Sequence, residues 1–200
     1  MAERKPLGTQ GAFRDEKQLS SPESLSSSPK GFIPPHGGYE QLHSFQKARI
    51  VYDGTVKFCD RFIDKRSRTH DQMVQAARSG KQNILEGSQA SGTSKETEIK
   101  LTNVARASLE ELLEDYRDFL RVRGIAEWPK EHSHTRRLRE LNRQPNPSYE
   151  TFQKGIEHPD PAIAANVMIG LTKLANYLLD QQLRRLSQDF VEQGGLRERM

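Results

Sequence analysis

Four stretches of this chain repeat apolar residues three and four positions apart, and that period admits α-helix and little else. Between Tyr39 and about residue 64 the series is Leu42, Phe45, Ala48, Tyr52, Thr55, Cys59, Phe62 and Ile63. In the second stretch Met73, Ala76, Ala77, Gly80, Ile84 and Gly87 share one face. In the third, Leu101, Val104, Ala105, Ser108, Leu112, Tyr116 and Phe119 form a stripe with Leu109, Leu113 and Leu120 beside it. The fourth carries Ile163, Val167, Leu171, Leu174, Leu178, Leu179, Leu183, Leu186 and Phe190. The spacing therefore predicts an all-α chain, an up-down four-helix bundle over residues 39–192 with helices at about 39–64, 69–87, 93–123 and 161–191.

Start and stop signals set those limits. Thr69 with Gln72, and Thr93 with Glu96, have the spacing of capping boxes. Asp160 before Pro161 reads as an N-cap followed by proline in the first helical position, and Gly124 as the left-handed residue that closes the third helix. Gly80 sits where glycine costs about 0.5–1 kcal/mol relative to alanine, so a close helix crossing is its natural explanation. Residues 128–160, with Pro129, Pro145, Pro147 and Pro159, read as a long connection before the last helix, holding a candidate short helix at 131–141. Residues 1–38 contain Ser-Pro and Pro-Pro clusters and no apolar period, which predicts a disordered tail, and residues 193–200 a second short one. Only 34% of the chain is apolar against 29% charged, the balance expected when part of it never packs.

A chain of 200 residues is one ordinary domain plus a tail. Its single cysteine, Cys59, excludes an intramolecular disulfide, no charged and apolar leader opens it, and a reducing cytoplasmic location is the default expectation. The longest apolar candidate, 163–179, is interrupted by Asn166, Lys173 and Asn176, which argues against a membrane partner.

Catalytic chemistry finds no footing. Ser108 has no sequence-local base to activate it and reads as a small side chain at a helix crossing. Asn83 and Glu86 lie three apart beside a glycine and read as helix-junction residues. The acidic run Glu110, Glu111, Glu114, Asp115 and Asp118 lacks the Glu-x-x-His pairs of a di-iron bundle, so it reads as a solvated or subunit-facing surface. His132, His134, His158 and Cys59 lack zinc-site spacing, and His70 with Asp71 fits the first turn of a helix. The expectation is a protein that is not an enzyme, with no metal and no cofactor.

The basic residues carry more. The net charge is +4, but residues 47–81 hold nine basic and four acidic residues, whereas 86–127 hold six and nine. Lys57, Arg61, Lys65, Arg66 and Arg68 cluster about the first helix turn, Arg78 and Lys81 follow, and Arg136, Arg137, Arg139 and Arg143 lie in the connection. Phosphate contacts are the natural use of such clusters, and base-specific readout is not expected of them.

The segment Gln72-Met-Val-Gln-Ala-Ala-Arg-Ser-Gly-Lys-Gln-Asn83-Ile-Leu-Glu-Gly87, followed by Leu101-Thr-Asn-Val-Ala-Arg-Ala-Ser-Leu-Glu-Glu-Leu112, resembles a known pattern. It is similar to the four-helix-bundle proteins encoded by intervening sequences in bacterial 23S ribosomal RNA genes. They pair a Gln-x-x-Arg-Ala-Ala-x-Ser-Ile-x-x-Asn-Ile-Ala-Glu-Gly helix with one containing Ala-x-x-Ser-Leu-x-Glu-Leu. Gln75 stands at the usual arginine and Gly80 at the usual isoleucine, while Gln72, Ala76, Ala77, Asn83, Glu86, Gly87 and Ser108 match. With Tyr39-x-x-Leu42-x-x-Phe45-x-x-Ala48 the likeness covers roughly residues 39–125, and the segment after Trp128 resembles the four-helix-bundle suffix type. A related branch is the accessory variability determinant of diversity-generating retroelements, a pentamer that binds nucleic acid and a reverse transcriptase. The resemblance implies a homopentamer that binds RNA or DNA, with Arg61, Lys65, Arg66, Arg68, Arg78, Lys81, Arg136 and Arg137 as candidate contacts, as an accessory factor to a partner enzyme. The alternative is a protein-interaction scaffold without nucleic acid.

Overall fold

The computed structural model describes residues 37–193, so the expected tails lie outside the described residues apart from Gly37, Gly38 and Gln193. The described chain is all-helical, with no strand among its residues. After a 3-10 turn at Tyr39–Gln41 come α1 (His43–Phe62), α2 (Arg68–Ala90), α3 (Lys95–Arg121), α4 (Ser133–Asn142), α5 (Tyr149–Ile156) and α6 (Pro161–Gln193). That is six helices where the apolar period suggested four and a candidate fifth. α2 packs on α3, α3 on α6, α6 on α1 and α1 on α2; α5 lies against α1 and α6, and α4 against α6 and α5.

The helix starts differ in detail from the expectation. Ser67, not Thr69, caps α2, its Oγ accepting from the Thr69 amide at 3.2 Å. Ser94, not Thr93, caps α3, accepting from the Thr97 amide at 3.1 Å. In each case an earlier or later hydroxyl reaches the amides left free in the first turn. Asp160 does cap α6, its Oδ1 accepting from the Ala162 amide at 2.8 Å. α2 runs through Gly87 to Ala90, three residues past the expected end. Gly124, with φ +65°, closes α3: its amide donates to Arg121 O at 3.1 Å and the Ile125 amide to Leu120 O at 3.0 Å. That pair of bonds satisfies two terminal carbonyls in a geometry side chains resist.

The core forms where the stripes meet. Phe58 of α1 stands edge-on to Tyr116 and Phe119 of α3, with centroids 5.0 and 4.9 Å apart. The fully buried Tyr116 hydroxyl donates to Thr55 Oγ1 at 3.0 Å, and Thr55 donates to Val51 O at 2.7 Å, so no polar atom of the pair is stranded. All six residues expected on the inner face of α2 are buried. Gly80 is the point of closest approach, because a Cβ there would stand 2.5 Å from Leu109 Cδ2 and 2.6 Å from its Cγ.

Two stripes are corrected. Val104 is 46% exposed, since the buried face of α3 runs through Ala105, Leu109, Leu112 and Tyr116 instead. On α6 the residues from Ala164 to Ile169 are buried consecutively, whereas Leu174, Leu178, Leu183 and Phe190 are only half-buried. The cause is the connection: α5 inserts Phe152 and Ile156 into the core beside α6, covering a side that four helices alone would leave open. α6 is also long and apolar enough to cross a membrane by composition, and 61% of that window is buried inside the protein, as in a core helix.

Candidate nucleic-acid interface

The turn between α1 and α2 is built by Asp64, whose Oδ1 accepts from the Arg66 amide at 2.9 Å while its carbonyl accepts from the Ser67 amide at 2.8 Å. That turn places Arg61, Lys65, Arg66 and Arg68 together, all exposed. They are not an undiluted patch. Lys65 lies 3.6 Å from Asp60, and the Arg61 guanidinium donates to His158 O at 3.2 Å and rests over Phe62. The His70 ring, whose nitrogens have no hydrogen-bond partner among the described residues, lies 3.6 Å from Asp60 and 3.5 Å from Asp71. Among the described residues only Arg66 and Arg68 of these four have no side-chain partner. Asp60, Asp64 and Asp71 offset much of the positive field here.

Arg78 and Lys81 stand apart from this corner. Thirteen residues at about 1.5 Å each put Lys81 roughly 20 Å along α2 from Arg68. Its Nζ sits 4.5 Å over the Tyr52 ring, and with Arg49 it opposes the burial that raises the Asp53 carboxyl above its usual range. Lys81 therefore serves the α1–α2 contact, and Arg78 is exposed.

The second basic group behaves differently. α4 and the 143–147 loop stand off α1 and α6, leaving a cleft of about 1030 Å³. Arg136 and Arg137 lie on the exposed side of α4, away from this cleft, and Arg137 pairs with Glu140 at 3.1 Å. Lys47, Lys130, Arg139, Arg143 and Lys173 line it, against Glu127 as the one carboxylate among the described residues there. Glu127 is already engaged: against burial, which would raise it, hydrogen bonds from Lys173 and Arg117 hold its carboxyl below the usual range. Lys130, Arg139 and Arg143 have no carboxylate partner among the described residues.

Lys47 is the buried member. Its Nζ donates to Asn142 Oδ1 at 2.7 Å and lies 4.5 Å over the Phe152 ring, tying α1 to α4 and α5 at once. Burial pulls its pKa down to about 8. Asn166 performs a matching task on α6, accepting from the Trp128 amide at 2.8 Å and donating to Ala126 O at 3.2 Å. Two of the three polar residues that interrupt the apolar run of α6 are thus its anchors for the connection, Asn166 directly and Lys173 through Glu127, while Asn176 bonds Glu110 of α3.

Tyr177 and Trp128 also line the cleft, so aromatic rings stand beside its cations. Sequence reasoning missed Lys47, Lys130, Lys173 and Tyr177. No linear signal joins positions that far apart, although a lysine and a tyrosine set into largely apolar helices were a hint.

The motif residues of α2 and α3 form a separate, smaller feature. Ser79 and Ser108 share a hydrogen bond of 2.9 Å across the helices, and Asn83 Nδ2 donates to Ser79 O at 2.9 Å and to its Oγ at 3.1 Å. Ser108 also donates back to Val104 O. Gln72 and Ser108 line a shallow groove of about 460 Å³, while Ala76, Ala77, Gly80 and Gly87 are buried and Glu86 is exposed. Among the described residues no histidine or carboxylate bonds the Ser108 hydroxyl. His132 and His134 stack on Trp128 at 4.7 and 4.9 Å, and no group of three or more His, Cys, Asp or Glu among the described residues converges as metal ligands would. Cys59 is buried against Met73, and burial, with Asp60 and Asp115 nearby, pushes its thiol up to about 12, far from a reactive thiolate. Comparison with family models, with curated proteins and with solved structures returns no match.

Proposed function

We propose that the protein is a non-enzymatic, cytoplasmic nucleic-acid-binding protein. Its long helices α1, α2, α3 and α6 constitute a four-helix bundle of the 23S intervening-sequence type that assembles as a homopentamer. One observation carries the binding reading: Lys130, Arg139 and Arg143 gather about a cleft whose one carboxylate is already paired, an arrangement that holds positive potential in a concave, partly dehydrated space. Arg66 and Arg68 at the α1–α2 corner add exposed cations, and repetition around a ring multiplies weak phosphate contacts into avid binding. The sequence resemblance of residues 39–125 supports the pentamer and an accessory role beside a partner enzyme.

The test is fluorescence anisotropy with labelled RNA and DNA oligonucleotides, alongside light scattering for subunit number. With three phosphate contacts, raising salt from 50 to 200 mM would weaken binding roughly 20-fold for a single strand and 40-fold for a duplex. Absence of binding, or binding indifferent to salt, would overturn the reading. The scaffold alternative has less behind it: of the acidic run on α3, Glu114 and Asp118 pair with Arg117 and Arg121 and Glu110 accepts from Asn176, which leaves Glu111 and Asp115 to meet a basic partner.

A further inference from the structure

We propose that the cleft between α4 and α6 is a single-strand nucleic-acid site, in which Tyr177 stacks on a base while Lys130, Arg139 and Arg143 hold the neighbouring phosphates. This rests on the nucleic-acid reading above and narrows it to one place and one strand form.

The first argument is Tyr177. The chain has five tyrosines, and the other four are engaged. Tyr39 stands edge-on to Phe45, Tyr52 lies under Lys81, Tyr116 bonds Thr55 and Tyr149 bonds Glu157. Tyr177 has no ring or hydrogen-bond partner among the described residues and is 57% exposed, on the cleft wall. A ring open to solvent beside unpaired cations is the combination that single-strand binders use, since every base offers a π-face and the cations follow the backbone. Trp128 adds a wall and not a second platform, because His132 already stacks on it with rings 8° from parallel.

The second argument is shape. About 1030 Å³ is at the upper end of ligand clefts, which run to roughly 1,000 Å³, and it suits one or two nucleotides with water. A duplex cannot enter such a space with its bases exposed to Tyr177. Ile169, Leu174 and Leu178 give the cleft apolar surface for a base, and the side-chain amides of Gln144 and Asn146, unbonded among the described residues, stand where base edges would pass. The third argument is charge: an acidic peptide would satisfy the cations and leave Tyr177 unused, whereas a nucleotide uses both.

The experiment measures the full chain binding a labelled twelve-nucleotide oligo(U) strand and a twelve-base-pair RNA duplex. Tyr177→Ala is expected to weaken the strand about tenfold and the duplex less than twofold, with Tyr177→Phe restoring strand binding. Arg139→Gln with Arg143→Gln is expected to lower the salt slope for the strand by about 1.4. Tyr177 is exposed, so unchanged thermal midpoints will accompany these losses. Equal weakening of strand and duplex, or no effect of Tyr177→Ala on the strand, overturns the cleft assignment while leaving binding elsewhere intact. A wild-type chain that binds neither probe overturns both readings. Self-association abolished by Arg139→Glu, with no oligonucleotide bound, would place a second copy's acidic α3 face in the cleft and overturn the strand site.

Discussion

The contact of α2 with α3 and the contact of α4 with α6 are both made by a leucine pressed onto a glycine, yet they are opposite kinds of seam. At Gly80 both Cδ2 and Cγ of Leu109 crowd the place a Cβ would take, and Leu109 is fully buried between neighbours on every side. At Gly170 only the tip of Leu138, its Cδ2, is too close, while the Leu138 Cγ stands 3.8 Å away and the leucine borders the open cleft. The difference teaches where this molecule has room. Close packing of small residues consumes the space a ligand would need, and the loosely seated α4 leaves it available.

The comparison breaks most sharply at Gly80. Gly80→Ala is expected to cost about 2 kcal/mol in urea unfolding, because a buried leucine branch must move as a unit. A cost under about 0.5 kcal/mol would mean the α2–α3 seam is as yielding as the other. Next in size is Lys47→Met, which replaces a buried cation over Phe152 with an apolar chain of similar length and is expected to raise stability by about 1 kcal/mol at pH 7. The sign follows from the pKa. Lys47 titrates at about 8 in the fold against 10.5 when unfolded, so the unfolded chain binds more protons between those values. Wild-type stability rises with pH across that window, and the advantage of the variant should fade toward pH 10.5.

Asp115→Asn sharpens the picture of the tight seam. Burial, with Glu111 and Asp118 beside it, raises the Asp115 carboxyl to about 6 from 3.8. A raised acid favours the fold below pH 3.8 and loses that contribution as pH climbs through 6. Asp115→Asn should therefore match wild type near pH 3.5 and exceed it by about 1 kcal/mol at pH 8, solvent screening of the half-buried group included. Thermal midpoints at the two pH values check this. The smallest effect belongs to Gly170→Ala, expected under about 0.5 kcal/mol because Leu138 can turn toward the cleft. A loss matching that of Gly80→Ala would erase the distinction.

Legibility in the sequence divides along the same line. The α2 face, from Met73 to Gly87, was readable because a tightly packed helix buries residues on a strict period, and Gly80 announced its own crossing. The connection was not. α5 has eight residues and buries only Phe152 and Ile156, four apart, too little for a period to emerge. The cleft gathers residues from His43 to Leu178, so no local window contains it. Arg136 and Arg137 share a run with Arg139, but rotation about a helix sends them outward. Asn166 and Lys173 read as flaws in an apolar stretch because their partners, Trp128 and Glu127, lie about forty residues earlier.

Leu138 is the one buried residue of α4. A helix held by Leu138, the half-buried Leu141 and the Lys47–Asn142 bond can lift away without disturbing the core, as a local opening far below the free energy of global unfolding. Its backbone amides should exchange with deuterium sooner than those of α2 or α3. Any molecule that bridges α4 to α6 would slow that exchange, making the amides of Ser133–Asn142 a reporter of occupancy that needs no label on the ligand.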